Sequence, residues 1–208
     1  MEPTDENIRA WDKAHRAPPS PEEQLPQQVR QSVTDLHGKR VLHLNCGTGA
    51  ATAQFAELGA SVTGIDPSEE AIYVARQRAP SVLFIGAEPD ALPSELQRGR
   101  FELVYAGPST LQQLRDLDLY AGNVAAALRA GGDLLMFDEH PSALCVDGLL
   151  HWREDYFAAG FHRLGQIVGA LARHHIPVRA LEEYPASPGT YRDARVPGTF
   201  LLHARKNR

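Results

Sequence analysis

Residues 40–66 read RVLHLNCGTGAATAQFAELGASVTGID, and this stretch decides the fold. An apolar run at 40–44 leads into a glycine-containing turn, then a helical pattern over roughly 49–58, then a second apolar run at 61–66. Gly59 ends the helical pattern, because glycine adopts left-handed backbone conformations readily. Short apolar runs that alternate with helices predict β-α-β units and a mainly parallel sheet.

The same alternation continues to the end of the chain. Further helices are predicted from Ser68 to Pro80, over 116–129 with Gly131 and Gly132 ending it, and over 164–174. The further strands are predicted at VLFIGA (82–87), FELVYAG (101–107), DLLMFDEH (133–140), VRALEEYP (178–185) and PGTFLLHARK (197–206). We therefore predict an α/β fold, a Rossmann-like, doubly wound, mainly parallel seven-stranded sheet with an antiparallel C-terminal strand.

Residues 1–37 differ from the rest in being rich in Pro, Glu and Gln. We interpret them as an N-terminal helical or irregular cap segment, and residues 38–208 as the folded, cofactor-binding domain. Trp11 lies in a short helical pattern within this segment. It is a packing anchor or, if the segment folds over a site, part of a substrate pocket.

Composition limits the possible functions. The 208 residues carry a formal net charge of −5, and 43% are hydrophobic, as in an ordinary globular domain. An acidic chain argues against a nucleic-acid partner. The polar start and the lack of a long apolar run predict no membrane partner and a cytoplasmic location. Cys46 and Cys145 have neither metal-ligand spacing nor the pattern of a disulfide scaffold.

The turn after the first strand is the predicted ligand site, since open α/β sheets bind ligands beyond the carboxyl ends of their strands. Asp66 ends the second strand and can accept hydrogen bonds from both ribose hydroxyls. A dinucleotide site would need G-x-G-x-x-G, but the third glycine position is Thr52, and no phosphate-loop lysine follows Gly49. The turn therefore indicates an adenosine-containing cofactor without a pyrophosphate.

Four segments in register carry a family resemblance: VLHLNCGTGAATAQFAELGASVTGIDPSEEAI (41–72), FIGAEPDALP (84–93), FELVYAG (101–107) and LRAGGDLLMFDEHP (128–141). In this order they resemble the motifs of class I S-adenosylmethionine-dependent methyltransferases. The resemblance implies S-adenosylmethionine as cofactor and S-adenosylhomocysteine as product. It assigns the methionine part to Gly47, Thr48 and Gly49, the ribose to Asp66, the adenine to Ala87 and Glu88, and the floor near the methyl to Ala106, Gly107 and Pro108. Asn45, Cys46 and Pro67 complete the predicted cofactor-binding set.

Two positions depart from the family's pattern. His43 stands where an acidic residue is common, so it cannot supply the carboxylate that often helps to hold the cofactor's ammonium group. Asn45 stands where glycine is common, and asparagine tolerates a positive φ better than most residues.

Candidates for the chemistry come from the later strands. Methyl transfer from a sulfonium is an in-line displacement, and a base is needed only for an acceptor that must lose a proton. His140, at the end of the fifth strand, is the predicted base; alternatively it caps the strand end or pairs with Asp138 or Glu139. Trp152 and Tyr156 are predicted to line a substrate pocket or, alternatively, to pack a helix onto the sheet. We predict no metal site, and we interpret His174 and His175 as a solvated helix end.

The predicted function is methyl transfer from S-adenosylmethionine to an oxygen, nitrogen or carbon atom of a small molecule. One alternative is a protein of the same fold that binds the cofactor without methyl transfer, or uses it to steer another reaction. A second is a nicotinamide-dependent oxidoreductase, which Thr52 disfavours. Monomer and homodimer both remain open.

Overall fold

The computed structural model describes residues 24–146, 151–157, 162–185 and 195–208, so Trp11 lies outside the described residues. The helices in these ranges are α1 (Gln27–Ser32), α2 (Ala50–Glu57), α3 (Glu69–Arg78), α4 (Thr110–Gln113), α5 (Leu117–Ala127) and α6 (Leu164–Arg173), with a 3₁₀ turn at Ala143–Cys145. The strands are β1 (Arg40–Leu44), β2 (Ser61–Asp66), β3 (Leu83–Gly86), β4 (Phe101–Ala106), β5 (Leu128–Glu139), β6 (Val178–Pro185) and β7 (Pro197–Arg205).

The strands form one seven-stranded sheet in the order β3-β2-β1-β4-β5-β7-β6. Neighbours from β3 to β5 pair in parallel, and β7 runs antiparallel to both β5 and β6. The predicted fold is confirmed. Strand order reverses between β1 and β4, so the crevice at the carboxyl ends of these two strands is the expected ligand position.

Alternating side chains of the central strands pack into two layers of helices. Leu42 and Val104 face α5 and α6, while Val41 and Leu103 face α1 and α2. Tyr105 and Tyr120 are fully buried in this core. The region before β1 belongs to the same core, where it contributes Leu25, Val29 and Leu36.

One boundary differs from its prediction. Gly131 and Gly132 do not end the helix: α5 ends at Ala127, and both glycines lie inside β5. Pairing with β4 shifts register between Phe101 and Leu103, so extra residues of β5 are accommodated at this point. A Cβ atom on Gly132 would lie 2.9 Å from the carbonyl oxygen of Phe101, which explains why glycine is needed there. None of the helices in the described part of the chain is long and apolar enough to cross a membrane.

Candidate functional site

The turn after β1 has a backbone that few side chains allow. Asn45, Gly47 and Gly49 have φ values of 53°, 53° and 80°. The N–H of Cys46 donates to the carbonyl of Ile65 at 2.8 Å, which ties the turn to β2. Asn45 therefore does adopt the left-handed conformation that its position requires.

The two glycines of this turn serve different purposes. A Cβ atom on Gly47 would meet nothing within 4 Å, so this part of the turn faces open space. A Cβ atom on Gly49 would lie 2.9 Å from Cβ of Ala75 and 3.1 Å from the ring of Phe84. Gly47 thus leaves room for a ligand, whereas Gly49 permits α2 and α3 to pack closely.

Neighbouring side chains hold the turn rigid. The guanidinium of Arg78 donates to the carbonyl oxygen of Thr48 at 2.9 Å and also contacts Oγ1 of Thr48. Cys46 is buried, and burial raises the pKa of its thiol. A buried, protonated thiol is a packing group rather than a nucleophile.

Asp66 links the turn to the end of β2. Its Oδ2 accepts from the N–H of Gly47 at 2.8 Å, and its Oδ1 accepts from the N–H of Ser68 at 2.9 Å. The residue is 8% exposed. Because each carboxylate oxygen can accept more than one hydrogen bond, acceptor sites remain for two ribose hydroxyls. Pro67, between Asp66 and Ser68, is exposed.

The segment after β3 lies beside this carboxylate. The N–H of Ala87 donates to the carbonyl of Asp66 at 3.0 Å. The half-buried Glu88 lies 3.7 Å from the guanidinium of Arg115, which follows α4. The predicted adenine contacts of Ala87 and Glu88 thus fall at the same edge of the sheet as Asp66, and they remain predictions.

The loop after β4 is anchored by a residue that we did not predict as part of the site. Asp138, at the end of β5, is only 1% exposed. Its carboxylate accepts from the N–H groups of Ser109, Leu111 and Glu139, each at 2.8 Å. Burial raises its pKa to about 6. The signal in the sequence was an aspartate at the end of an otherwise apolar strand.

This anchor shapes the predicted floor of the site. Ala106 and Gly107 are buried, Pro108 is exposed, and Ser109 has a φ of 67°. Since Asp138 binds the N–H groups on both sides of Thr110, the start of α4 is fixed relative to β5. The loop is therefore positioned before any ligand arrives.

His43 is a core residue beneath this floor. Its Nδ1 lies 2.7 Å from Oγ1 of Thr52, and its ring centroid lies 4.9 Å from that of Tyr105. The side chain is buried, and burial lowers its pKa to about 3. His43 is accordingly neutral near pH 7 and provides no negative charge at the turn.

Asn45 reaches from the turn toward α4. Its Nδ2 donates to Oε1 of Gln113 at 2.6 Å. Its Oδ1 is buried and has no hydrogen-bond partner among the described residues. Neighbouring Gln112 donates to Oε2 of Glu139 at 2.6 Å, so the two glutamines join α4 to the ends of β1 and β5.

The segment that contains this turn matches a known domain family. Residues 41–132 match the model of a family described as "Methyltransferase domain". This part of the chain is therefore similar to methyltransferases. The matched segment begins in β1, contains the glycine turn and Asp66, and ends within β5.

Curated proteins are similar to part of the chain. A ubiquinone biosynthesis O-methyltransferase of Bradyrhizobium sp. (strain ORS 278) is 32% identical over 103 residues, which are 49% of this chain and 40% of that protein. The chain spans about half or less of the length of the curated relatives that it matches first.

Solved structures share the fold of this chain. A methyltransferase from Mesorhizobium loti, dependent on S-adenosylmethionine, superimposes with a TM-score of 0.72 at 24% identity, covering 85% of this chain and 95% of that one. The [4+2]-cyclase SpnF superimposes with a TM-score of 0.65 at 20% identity, covering 84% of this chain and 77% of that one. At these identities the likeness establishes the fold alone.

The residues around the turn fit S-adenosylmethionine. Gly47 faces open space, Asp66 retains acceptor sites, and the buried Oδ1 of Asn45 lacks a donor. The position of a third dinucleotide-type glycine is filled by Thr52, whose side chain is buried against His43. The donor set therefore suits an adenosine with a short polar chain better than one with a pyrophosphate.

His140 has partners other than Asp138 and Glu139. Its Nδ1 accepts from the N–H of Ser142 at 3.1 Å, and its Nε2 lies 2.8 Å from Oε1 of Glu183 on β6. The side chain is buried, and burial lowers its pKa. The side chain of His140 thus contacts Ser142 and Glu183, and the role of His140 as a base stays a prediction.

The predicted pocket aromatics lie in the described segment 151–157. Trp152 is 62% exposed and pairs through its backbone with Val146. Tyr156 is half-buried, with its ring centroid 5.3 Å from that of Phe157. The role of Trp152 and Tyr156 at a substrate pocket also stays a prediction.

Proposed function

We propose that this protein transfers the methyl group of S-adenosylmethionine to an oxygen, nitrogen or carbon atom of a small molecule. The observation that carries the proposal is the hydrogen bond from Gly47 to Asp66, which joins an open glycine turn to a buried carboxylate at the reversal of strand order. The relative named for ubiquinone biosynthesis is an O-methyltransferase, which makes oxygen acceptors the first class to test.

Positioning is the main task of the chain in this proposal. The bound cofactor supplies an activated methyl group, so the protein has to hold two partners in line and exclude water. Asp66 holds the ribose, and the turn around Gly47 gives the methionine part room beside the backbone. Asp138 keeps the floor at Gly107 in place during the reaction.

The hydrogen bonds of His140 favour a positioning role over that of a base. Because Nδ1 accepts from the N–H of Ser142, a neutral ring carries its proton on Nε2, which faces Glu183. A ring in this state has no free nitrogen for the proton of an acceptor hydroxyl. Acceptors that need no base, such as neutral amines or ionised oxygens, are therefore compatible with this arrangement.

The decisive experiment incubates the purified chain with methyl-labelled S-adenosylmethionine and a panel of phenols, catechols, carboxylates and amines. We expect label in at least one acceptor class and stoichiometric S-adenosylhomocysteine. The variant Asp66→Asn is the negative control. Calorimetry with S-adenosylhomocysteine and NADH accompanies the assay, and binding of NADH alone would overturn the proposal in favour of an oxidoreductase.

A second candidate is a cofactor-binding protein that does not transfer the methyl group. It is favoured by the neutral, buried His43, which leaves the turn without the usual carboxylate. The same fold also occurs in the [4+2]-cyclase SpnF. Tight binding of S-adenosylhomocysteine with no label transfer across the whole panel would favour this candidate.

A further inference from the structure

The order of the strands assigns each part of a bound cofactor to one side of the turn. Asp66 ends β2, Glu88 follows β3, and Asn45 and Gln113 follow β1 and β4. These strands lie in the order β3-β2-β1-β4. If the proposed function is correct and Asp66 holds the ribose, an adenine over β3 directs the methionine part toward β1 and β4. Asn45 and Gln113 lie on that side.

The amide of Asn45 is anchored to the amide of Gln113. Its Nδ2 donates to Oε1 of Gln113 at 2.6 Å, which leaves Oδ1 as the remaining polar atom of the side chain. That oxygen is buried without a donor among the described residues. A buried acceptor without a partner is costly, so the site calls for an N–H or O–H group from a ligand.

The acidic groups nearest to the turn already bind backbone amides. Asp66 accepts from Gly47 and Ser68, and Asp138 accepts from Ser109, Leu111 and Glu139. His43, on β1 itself, is neutral, and its Nδ1 is hydrogen-bonded to Oγ1 of Thr52. On the side of β1 and β4, Oδ1 of Asn45 is thus a buried neutral acceptor that no described residue satisfies.

We propose that Oδ1 of Asn45, oriented by Gln113, accepts a hydrogen bond from the ammonium group of the cofactor's methionine part. The ammonium is the only N–H donor in that part of the molecule, and the adenine amine lies at the other end. The pair Asn45–Gln113 thereby takes the place of a carboxylate on β1. This inference rests on the proposed function.

The test compares three ligands by calorimetry. S-Adenosylhomocysteine has both the ammonium and the carboxylate, decarboxylated S-adenosylmethionine keeps only the ammonium, and 5′-methylthioadenosine has neither. The main variant is Asn45→Gly, since glycine accepts the φ of 53° at this position. The exposed Asn207, at the far end of the chain, gives the matched control Asn207→Gly.

We expect Asn45→Gly to raise the dissociation constants of the first two ligands by about 10- to 100-fold, as for a lost hydrogen bond to a charged group. The dissociation constant of 5′-methylthioadenosine should change less than about twofold, and Asn207→Gly should change none of the three. Gln113→Ala should weaken the same two ligands by a smaller factor, because it releases the amide without removing Oδ1. Asn45→Asp should restore or exceed wild-type affinity for them.

Three outcomes would overturn the inference. Equal weakening of all three ligands would mean that Asn45 only shapes the turn, and no weakening would mean that it does not contact the ligand. Weakening of S-adenosylhomocysteine alone would assign the amide to the carboxylate. Failure of the wild-type chain to bind any of the three would instead contradict the proposed function, so the two failures are distinguishable. Thermal unfolding of each variant verifies that the fold is intact.

Discussion

Nδ1 of His43 lies 2.7 Å from Oγ1 of Thr52, and both side chains are buried under the turn after β1. These residues are two of the positions at which the sequence departs from common patterns. His43 stands in place of an acidic residue, and Thr52 stands in place of a third glycine. Because each satisfies the other, the two departures form one polar contact inside the core.

The burial of His43 predicts acid sensitivity. Its pKa is lowered to about 3 in the folded chain. Between pH 6.5 and 3 the imidazole is therefore protonated in the unfolded chain but neutral in the folded chain. The stabilising contribution is therefore present above pH 6.5 and is lost as the pH falls, by at most about 5 kcal/mol. His43→Asn should reduce this loss, as measured by urea unfolding at pH 7, 5 and 4. An unchanged pH dependence in the variant would contradict the prediction.

Asp138 should act in the opposite direction. Its folded pKa of about 6 lies above that of an unfolded aspartate, so the folded chain gains a proton first as the pH falls. Between pH 6 and 4 the wild-type chain should therefore gain up to ~3 kcal/mol relative to Asp138→Asn. The same urea series measures this difference. If the stability of the wild type relative to Asp138→Asn falls between pH 6 and pH 4, the pKa of Asp138 is not raised and the prediction is wrong.

Replacing the two glycines of the turn should lower the stability of the fold by different amounts. Gly49→Ala places Cβ at 2.9 Å from Ala75 at a φ of 80°, and we expect a loss of about 2–4 kcal/mol of stability. Gly47→Ala meets no atoms within 4 Å and should cost only about 1 kcal/mol.

Cofactor binding provides the second measurement on these glycine variants. Gly47→Ala should weaken the affinity for S-adenosylhomocysteine by calorimetry, because its methyl group enters the open space of the turn. Unimpaired binding by this variant, together with normal stability, would place the ligand elsewhere.

Asp66 should matter for the ribose and for the turn. Asp66→Asn replaces one acceptor oxygen with a donor that faces either Gly47 or Ser68, so we expect at least a tenfold loss of affinity for S-adenosylhomocysteine. The exposed Asp118, which pairs with Arg173, gives the control Asp118→Asn. A 2′,3′-dideoxyribose analogue should bind the wild type and Asp66→Asn about equally; a persistent difference would point to the turn alone.

His140 can be tested once an acceptor is known. If His140 is a positioning residue, His140→Ala should lower kcat less than about tenfold and leave the shape of the pH profile unchanged. Glu183→Gln should have a similar, smaller effect through the contact at Nε2. The disappearance of a titration from the pH profile of kcat in His140→Ala would instead identify His140 as the base.

Local sequence was sufficient for most of the fold. The bounds of β1 and β2 agree with the prediction, because a buried parallel strand is apolar along its whole length and is punctuated by Gly and Asp. The start of β5 was missed because Gly131 and Gly132 also read as a helix stop. Only their pairing beside Phe101 shows that they serve a close approach between strands.

The candidate site likewise has features that the sequence predicts and features that only the structure shows. The sequence by itself determined the α/β fold, the glycine turn and the position of Asp66, since these depend on backbone freedom and on periodicity over a few dozen residues. Only the tertiary structure decided that His43 pairs with Thr52, that Asp138 anchors the loop after β4, and that Asn45 reaches Gln113. The partners in these contacts lie 9, 29 and 68 positions apart, and side-chain contacts at such separations depend on how the strands are ordered rather than on local pattern. The turn proposed to bind the cofactor could therefore be predicted from the sequence, whereas the side chains that contact it could be identified only from the tertiary structure.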